Sequence, residues 1–102
     1  MAASLGLIIR RPIYGSASKT AYTGTAGSVT VPGTAGAVMV WCSSAAFVRV
    51  SGKGTVATAT DLPLPANAPI IIPTDNTTGA PITVSAIQDT AGGSMYCIAM
   101  AD

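Results

Sequence analysis

Short apolar segments separated by glycine and proline make up most of this chain, and they are rich in Val, Ile and Thr. No segment long enough for a helix repeats its apolar residues with the helical period of about 3.6 without an internal glycine or proline. The pattern therefore predicts an all-β protein without helices longer than a turn. The predicted strands are Leu5–Arg10, Ser28–Val31, Ala37–Ser43, Ala46–Ser51, Val56–Thr60, Pro69–Ile72, Ile82–Ile87 and Met95–Met100.

A short repeat supports this pattern. The tetrapeptide GTAG occurs at Gly24–Gly27 and at Gly33–Gly36, and TAG returns at Thr90–Gly92, each time just before a predicted strand. Because glycine permits positive φ, the repeated element is predicted to be a turn that the chain uses more than once. Two full copies are too few for a solenoid.

Two predicted strands show which residues share a face. In Ala46–Ser51, Val48 and Val50 lie on one face and Phe47 and Arg49 on the other, so Arg49 is predicted to mark the side that meets solvent or a partner. In Met95–Met100 both faces are apolar. This predicts either a central strand of a sandwich or a strand at an interface.

The segment Asp61–Pro73 contains four prolines. Proline fixes φ and removes ladder donors, so Leu62–Ala68 is predicted to be a stiff, extended crossing between two sheets. Ile70–Ile72 follows as a short strand, and Thr74–Ala80 is predicted to be a polar loop.

These short strands fit a two-sheet antiparallel sandwich. We favour a jelly-roll-like arrangement over an immunoglobulin-like one, because Trp41 directly precedes Cys42 instead of lying between the two cysteines. Residues 1–20 are predicted to form an extended N-terminal arm or first strand, and residues 21–102 a single sandwich domain.

The amino-acid composition indicates what kind of surface the folded protein has. Of 102 residues, 49% are hydrophobic and only 9% are charged, against about 25% charged in typical soluble domains. A folded chain of 10.1 kDa exposes about 5,300 Å². So few charges on that area indicate a surface that other protein covers.

Other locations fit the sequence less well. The net charge is +1 without a basic cluster beyond the pair Arg10 and Arg11, so we predict no nucleic-acid partner. No apolar run approaches the length of a membrane helix, and no basic segment precedes Leu5–Ile9 as in a secretory signal. The chain is expected to stay in the cytoplasm where it is made.

The sequence also offers little for catalysis. It contains no histidine, and its four acidic residues are aspartates in predicted turns or at the terminus: Asp61, Asp75, Asp89 and Asp102. We therefore predict no enzymatic activity, no metal and no cofactor. Cys42 and Cys97 lack a second ligand at metal-binding spacing, so they are expected to be buried apolar groups, or alternatively a disulfide.

Three local motifs have an ordinary structural explanation. Ser51–Thr55 resembles a phosphate-binding loop only faintly, because Gly54 stands where Ser or Thr should follow the lysine, and we predict a hairpin turn. Asn76–Thr78 matches a glycosylation sequon, which is expected to be a turn. Trp41 could stack on a sugar, but its apolar neighbours favour a place in the core.

One resemblance to a known family rests on the pattern FVRVS, GT, ATA, DLPLPA, followed by VSAIQ and AGG, within Ser44–Ala99. The pattern resembles small virion structural proteins of tailed bacteriophages, of the head decoration or cement type. The resemblance implies a β-sandwich that binds the outside of an icosahedral capsid, contacts the major capsid protein, and forms a homo-oligomer, either a dimer or a trimer. It implies a place on the virion capsid surface after assembly in the host cytoplasm, and it carries over no catalytic residue.

We predict a docking surface built from the N-terminal arm and the proline-rich segment. Its residues are Leu5, Leu7, Ile8, Arg10, Arg11, Tyr14, Leu62, Leu64 and Ile71. Two other functions stay open: a phage tail or neck component, and a small carbohydrate- or receptor-binding module that uses Trp41, Tyr96 and the Thr74–Ala80 loop.

Overall fold

A computed structural model describes residues 11–33, 35–52, 54–74 and 80–101. The first predicted strand, Leu5–Arg10, lies outside these residues. The described residues form nine strands: β1 Arg11–Pro12, β2 Ser18–Tyr22, β3 Gly27–Val31, β4 Ala37–Cys42, β5 Ala46–Gly52, β6 Leu62–Leu64, β7 Ile70–Pro73, β8 Ile82–Gln88 and β9 Gly93–Ala101. Within these ranges there is no helix, so the all-β prediction is confirmed.

The strands form two antiparallel sheets. Sheet I has the order β1, β9, β4, β7, with β2 pairing beside β1 on the same edge of β9. Sheet II has the order β3, β8, β5, β6. The two sheets pack face to face, which confirms the predicted sandwich. From β2 onwards, every connection between consecutive described strands crosses between the sheets except that from β5 to β6.

The pairing of the strands is nested. Strand β5 pairs with β6, β4 with β7, β3 with β8 and β2 with β9, as in one long hairpin whose tip is the β5–β6 connection. Rolling that hairpin up brings β4 beside β9 and β5 beside β8. This order favours the jelly-roll arrangement, which stays a prediction.

Several predicted boundaries are confirmed and a few elements are corrected. All three GTAG or TAG turns directly precede a strand, namely β3, β4 and β9. Strands β2 and β6 were not predicted from the sequence. The predicted crossing Leu62–Ala68 does connect the two sheets, but its first three residues are β6, and it turns at Asn67, whose φ is 57°.

The predicted strand Val56–Thr60 is wrong, because this segment belongs to the long β5–β6 connection. Its backbone is held by Asp61, whose carboxylate accepts a hydrogen bond from the Thr58 N–H at 2.8 Å. The N–H of Asp61 in turn donates to the Thr58 carbonyl at 3.1 Å. A carboxylate that closes a local turn outcompetes the β propensity of the preceding Val and Thr residues.

The start of the described chain is part of sheet I. Strands β1 and β2 both pair with β9, so residues 11–20 are a first strand pair, and the predicted boundary after residue 20 falls inside β2. Residues 1–10 of the predicted arm lie outside the described residues.

The core between the sheets consists mainly of small and β-branched residues. Its buried members include Tyr22, Val31, Val38, Val40, Cys42, Val48, Leu64, Ile82, Val84, Met95 and Cys97. Each occupies the inward position of an alternating strand, which is the pattern predicted for Val48. Strand β9 is central in sheet I, as its two apolar faces predicted.

Hydrogen bonds of the buried Tyr22 side chain connect several segments at one end of the sandwich. Its hydroxyl donates to the carbonyl of Ser44 at 2.7 Å. The Ser44 hydroxyl donates in turn to the carbonyls of Ala91 and Gly92, each at 3.1 Å. The ends of β2, β4 and β8 are therefore tied together by side-chain hydrogen bonds in addition to the sheet ladders.

Two strand-terminal glycines should respond differently to replacement by alanine. At Gly27 a Cβ atom would overlap the backbone oxygen of Ala21, whereas at Gly52 it would meet no atom within 4 Å. We expect Gly27→Ala to lower the free energy of unfolding by about 2 kcal/mol or more. Gly52→Ala, the matched control, should leave it unchanged or raise it by up to about 1 kcal/mol. Urea unfolding measures both, and equal midpoints for the two variants would contradict the packing at Gly27.

Candidate interaction surface

The outer face of sheet II is divided into two parts. Phe47 lies opposite Ile87 and forms a partly exposed apolar row, whereas the part that carries Thr83, Ser85 and Arg49 is polar and is covered by the chain itself. The connection from β5 to β6 lies over it, and the Ala57 N–H donates to the Ser85 hydroxyl at 2.9 Å. The Gly54 N–H donates to the Thr83 hydroxyl at 3.1 Å. Ser85 is fully buried, and its hydroxyl also donates to the Gly27 carbonyl at 2.8 Å. These contacts satisfy buried polar groups that would otherwise cost stability.

An ion pair adds to this cover. The Arg49 guanidinium lies 3.1 Å from the Asp61 carboxylate, which is the only ion pair between side chains that the described residues form. The outward position predicted for Arg49 is correct, and its partner is the chain's own connection. Since both groups are partly exposed, the pair contributes little stability by itself.

The outer face of sheet I is apolar. On β4, β9 and β7 the inward positions belong to the core, so alternation places the remaining side chains on the outer face. Cross-strand register aligns them in rows, with Met39 opposite both Ile98 and Ile71. Ile71 is 47% exposed, and the other two are partly exposed.

A neighbouring row on the same face carries the aromatic side chains. Lys19, Tyr96 and Trp41 lie side by side across β2, β9 and β4. The Trp41 and Tyr96 rings stack with centroids 5.5 Å apart and planes 13° apart. The Lys19 ammonium lies 5.6 Å from the centre of the Tyr96 ring, which is a cation–π distance.

The expectation that Trp41 lies in the core is therefore wrong. Trp41 is only partly buried and points away from the other sheet, because Val40 and Cys42 take the inward positions on either side of it. Stacking on Tyr96 is what buries much of the indole.

We call this surface the sheet I face, defined by Met39, Trp41, Ile71, Tyr96 and Ile98. Lys19, at its edge, is the one charged side chain that the described part of the chain places on it. Farther along the face, Ala37 and Met100 continue the apolar surface but are buried. The sequence signal for this face was present in the two-sided apolar pattern of β9, but the partner strand β4 and its register could not be inferred.

The predicted docking residues are only partly brought together. Leu5, Leu7, Ile8 and Arg10 lie outside the described residues. Arg11, Tyr14, Leu62 and Ile71 are exposed, with Tyr14 at 87%. Ile71 belongs to the sheet I face, whereas Tyr14 lies between β1 and β2 at the opposite edge of the sheet.

Leu64 corrects the prediction for the proline-rich segment. It is 4% exposed and belongs to the core, because β6 pairs with β5 and places Leu64 opposite buried Ala46. Its side chain therefore adds little to any outer surface. Leu62, two residues earlier in the same edge strand, is 42% exposed.

The residues predicted for a carbohydrate site are not gathered in one place. Trp41 lies near the end of β4, where Val40 pairs with Ile70 at the start of β7. Thr74 follows the other end of β7, where Pro73 pairs with Ala37, and residues 75–79 of the predicted loop lie outside the described residues. One face of Tyr96 is stacked on Trp41 and the other lies under Lys19, so that ring has no open face for a sugar.

A shallow cavity lies at the end of the sandwich where β4 turns into β5. It has a volume of about 290 Å³ and is lined by Ala45, Ala46, Pro63, Leu64, Pro65 and Asp89. Alanine, proline and leucine residues form most of its lining, and Asp89 is the one acidic residue among them. The Asp89 backbone N–H is already bound to the Ala45 carbonyl at 3.1 Å, which fixes the turn that carries the carboxylate.

Neither cysteine forms a disulfide. Cys42 and Cys97 are free thiols, both buried in the core, as expected from the sequence. Burial raises the pKa of Cys97 to about 11. Burial also raises the pKa of Cys42, an effect that a hydrogen bond with Tyr22 partly offsets.

The described residues contain no cluster of three metal-ligating side chains. Over the same part of the chain, no helix is long and apolar enough to cross a membrane. No protein-family model matches the chain, and no curated protein or solved structure is significantly similar to it. The functional argument therefore depends on the surfaces described above.

The cover on sheet II depends on Ser85, which yields a direct test. Ser85→Ala would leave the Ala57 N–H and the Gly27 carbonyl without their side-chain partner. We expect the free energy of unfolding to fall by about 1–3 kcal/mol. Ser28→Ala, at the exposed cross-strand neighbour, should change it by less than about 0.5 kcal/mol. Denaturant unfolding compares them, and a neutral Ser85→Ala would show that the hydroxyl does not hold the connection.

The buried thiol of Cys97 should make stability depend on alkaline pH. Its folded pKa, about 11, is above the ordinary value of 9.0, so the unfolded chain loses this proton first as the pH rises. The contribution is fully present below pH 9 and is lost between pH 9 and 11, by up to about 3 kcal/mol.

The measurement is the free energy of unfolding at both ends of that pH window, for the natural chain and for Cys97→Ala. The natural chain should lose more stability than the variant, because the two chains differ only in the Cys97 thiol. An equal loss would contradict a buried, protonated thiol.

Proposed function

We propose that this protein is a non-enzymatic virion structural protein that binds the outside of a bacteriophage capsid and stabilises it, as a decoration or cement protein. Its partner in this proposal is the major capsid protein, and its place is the capsid surface of a virion assembled in the host cytoplasm. The support comes from the difference between the two outer faces of the sandwich, together with the sequence resemblance.

The sheet I face is the observation that carries the proposal. Sheet II uses its own connection to cover the polar part of its outer face, which carries Thr83, Ser85 and Arg49. Its apolar part is the shorter row of Phe47 and Ile87. Sheet I instead presents Met, Ile, Trp and Tyr side chains that remain partly exposed. Contiguous apolar side chains on one face of a small protein mark a contact surface.

The chemistry of this face suits a protein partner. Aromatic residues and methionine are enriched at protein interfaces, and charged residues are depleted from interface centres. Lys19 stands at the edge of the face, where a charge remains solvated and can pair with a carboxylate of the partner. Burying the face would require the desolvation of few charges.

The size of the face also fits a protein that acts in many copies. Strands about 4.8 Å apart, in a sheet four strands wide, give a contact of only a few hundred Å², below that of a stable pairwise interface. Many such contacts summed over an assembled shell give strong overall binding. A cement protein works in this way.

A phage tail or neck component would use the same face and the same physics, and only the position in the particle distinguishes it. A carbohydrate- or receptor-binding module has less support, because Trp41 and Thr74, the first residue of the predicted loop, follow opposite ends of the β4–β7 pairing.

The proposal predicts that a charge on the sheet I face abolishes particle binding. Ile71→Asp changes a 47% exposed side chain, so it should not affect folding, yet it would bury a carboxylate in the interface. We expect its affinity for particles to fall at least about 30-fold. Thr30→Asp is the matched control, since Thr30 is exposed on the outer face of sheet II.

The measurement is co-sedimentation of each variant with phage particles that have been stripped of the chain. The natural chain and Thr30→Asp should bind to saturation with a stoichiometry that matches the capsid lattice. Failure of the natural chain to bind particles would contradict the proposed function. Equal binding by Ile71→Asp would contradict the assignment of the face.

A further inference from the structure

Tyr14 is displayed on a rigid turn at the edge of sheet I. The Ser16 N–H donates to the Ile13 carbonyl at 3.2 Å, and Gly15 has a φ of 89°. These are the hydrogen bond and the positive φ of a type II turn, in which Tyr14 occupies the first central position. Gly15 is suited to the second central position because a side chain there would be strained.

The turn is fastened to the sheet on both sides of Tyr14. The Ile13 N–H donates to the Ala99 carbonyl at 2.8 Å, and Ile13 packs against the core. The Ala99 N–H donates to the Ser16 hydroxyl at 3.1 Å, and that hydroxyl donates to the Ile13 carbonyl at 2.5 Å. The residues on both sides of the Tyr14–Gly15 pair, Ile13 and Ser16, are therefore held against β9, while Tyr14 itself is 87% exposed.

This combination of a fixed backbone and an exposed aromatic ring is unusual for a residue without a role in binding. A rigidly held tyrosine loses little conformational entropy on association and contributes a large contact area. Tyrosine is also among the residues most enriched at the energetic centres of interfaces.

The chain also carries a cavity of suitable size and chemistry. A volume of about 290 Å³ holds about ten water-sized atoms, which is enough for a phenol ring with its hydroxyl. Pro63, Pro65 and Leu64 supply apolar walls for the ring. The exposed Asp89 carboxylate supplies a hydrogen-bond acceptor for the phenol hydroxyl.

A single molecule cannot make this contact with itself. Tyr14 lies beside β2, which contacts β3 at one edge of sheet II. The cavity lies beside β6, at the other edge of the same sheet. Because the Tyr14 ring and the cavity lie on opposite edges of one molecule, they can come into contact only between two copies of the chain.

We propose that this protein self-associates head to tail, with Tyr14 of one copy inserted into the cavity formed by Ala45, Pro63, Leu64, Pro65 and Asp89 of the next copy. The contact leads to a closed ring or a chain of copies, according to the angle between successive molecules. It goes beyond the proposed function and does not depend on it, because the sheet I face takes no part in it.

The test is sedimentation of variants that lack either the Tyr14 ring or an open cavity. Tyr14→Ala removes the ring, and Ala45→Trp fills the cavity from a half-exposed turn position without changing a core residue. Each variant alone should sediment as a monomer at concentrations where the natural chain associates. For Tyr14→Ala we expect self-association to weaken at least about 30-fold.

Mixing the two variants separates this contact from any other. Tyr14→Ala retains an open cavity, and Ala45→Trp retains the Tyr14 ring. An equimolar mixture of the two variants should therefore form a one-to-one complex and no larger species. Val56→Ala, at a 47% exposed side chain away from both sites, is the control and should associate like the natural chain. Asp89→Asn, which keeps the size of the side chain but removes its charge, should weaken association by a smaller factor than Tyr14→Ala.

Three results would overturn the proposal. The natural chain could remain a monomer at millimolar concentration, Tyr14→Ala could associate as strongly as the natural chain, or the two variants could fail to form a complex when mixed. Circular dichroism and thermal unfolding of each variant establish that it is folded, so that a loss of association reports on the contact.

Discussion

A sandwich of two sheets has one shared core and two outer faces, and the β5–β6 connection of this chain covers the polar part of one of those faces. This connection supplies the N–H groups that satisfy Thr83 and Ser85 on the outside of sheet II. Sheet I presents the longer apolar surface, because rows of apolar side chains run across β9, β4 and β7, whereas the apolar row of sheet II is limited to Phe47, Ile87 and Pro63. The proposed contact surface follows from this difference between the two faces.

The difference between the outer faces of the two sheets explains in structural terms why the sequence has so few charged residues. A protein with 9% charged residues has little with which to solvate an apolar sheet face. Of the charges that the structure describes, Arg49 and Asp61 are paired with each other over sheet II, and Lys19 lies over the Tyr96 ring. The low charge content and the apolar sheet I face are therefore two aspects of the same surface, and both support the proposed contact with other protein.

Much of the fold could be predicted because its strongest signals are local. Glycine-containing turns locate the starts of β3, β4 and β9, and alternation identifies the inward face of β5. Strand β2 was missed because SKTAY carries only one large apolar residue, Tyr22, and its pairing with β9 is what makes it a strand. Strand β6 was missed because its central residue is a proline, which is tolerated there because β6 lies at the edge of sheet II.

The surfaces were harder to predict, because they depend on register and on which loop covers which face. Trp41 has apolar neighbours in the sequence, yet it faces outward, and only the pairing of β4 with β9 brings it against Tyr96. Leu64 resembled an exposed residue of a proline-rich crossing, yet pairing with β5 places it in the core. The exposed turn that carries Tyr14 follows from hydrogen bonds to Ala99, far away in the sequence.

The most direct measurement uses Trp41, the only tryptophan of the chain, which lies within the sheet I face. Its fluorescence can be recorded for the free chain and for the chain bound in its assembly, without any substitution. If the face is the contact surface, emission should shift to shorter wavelength on assembly, and quenching by acrylamide should fall several-fold. Unchanged emission and quenching in a fully bound chain would contradict the account.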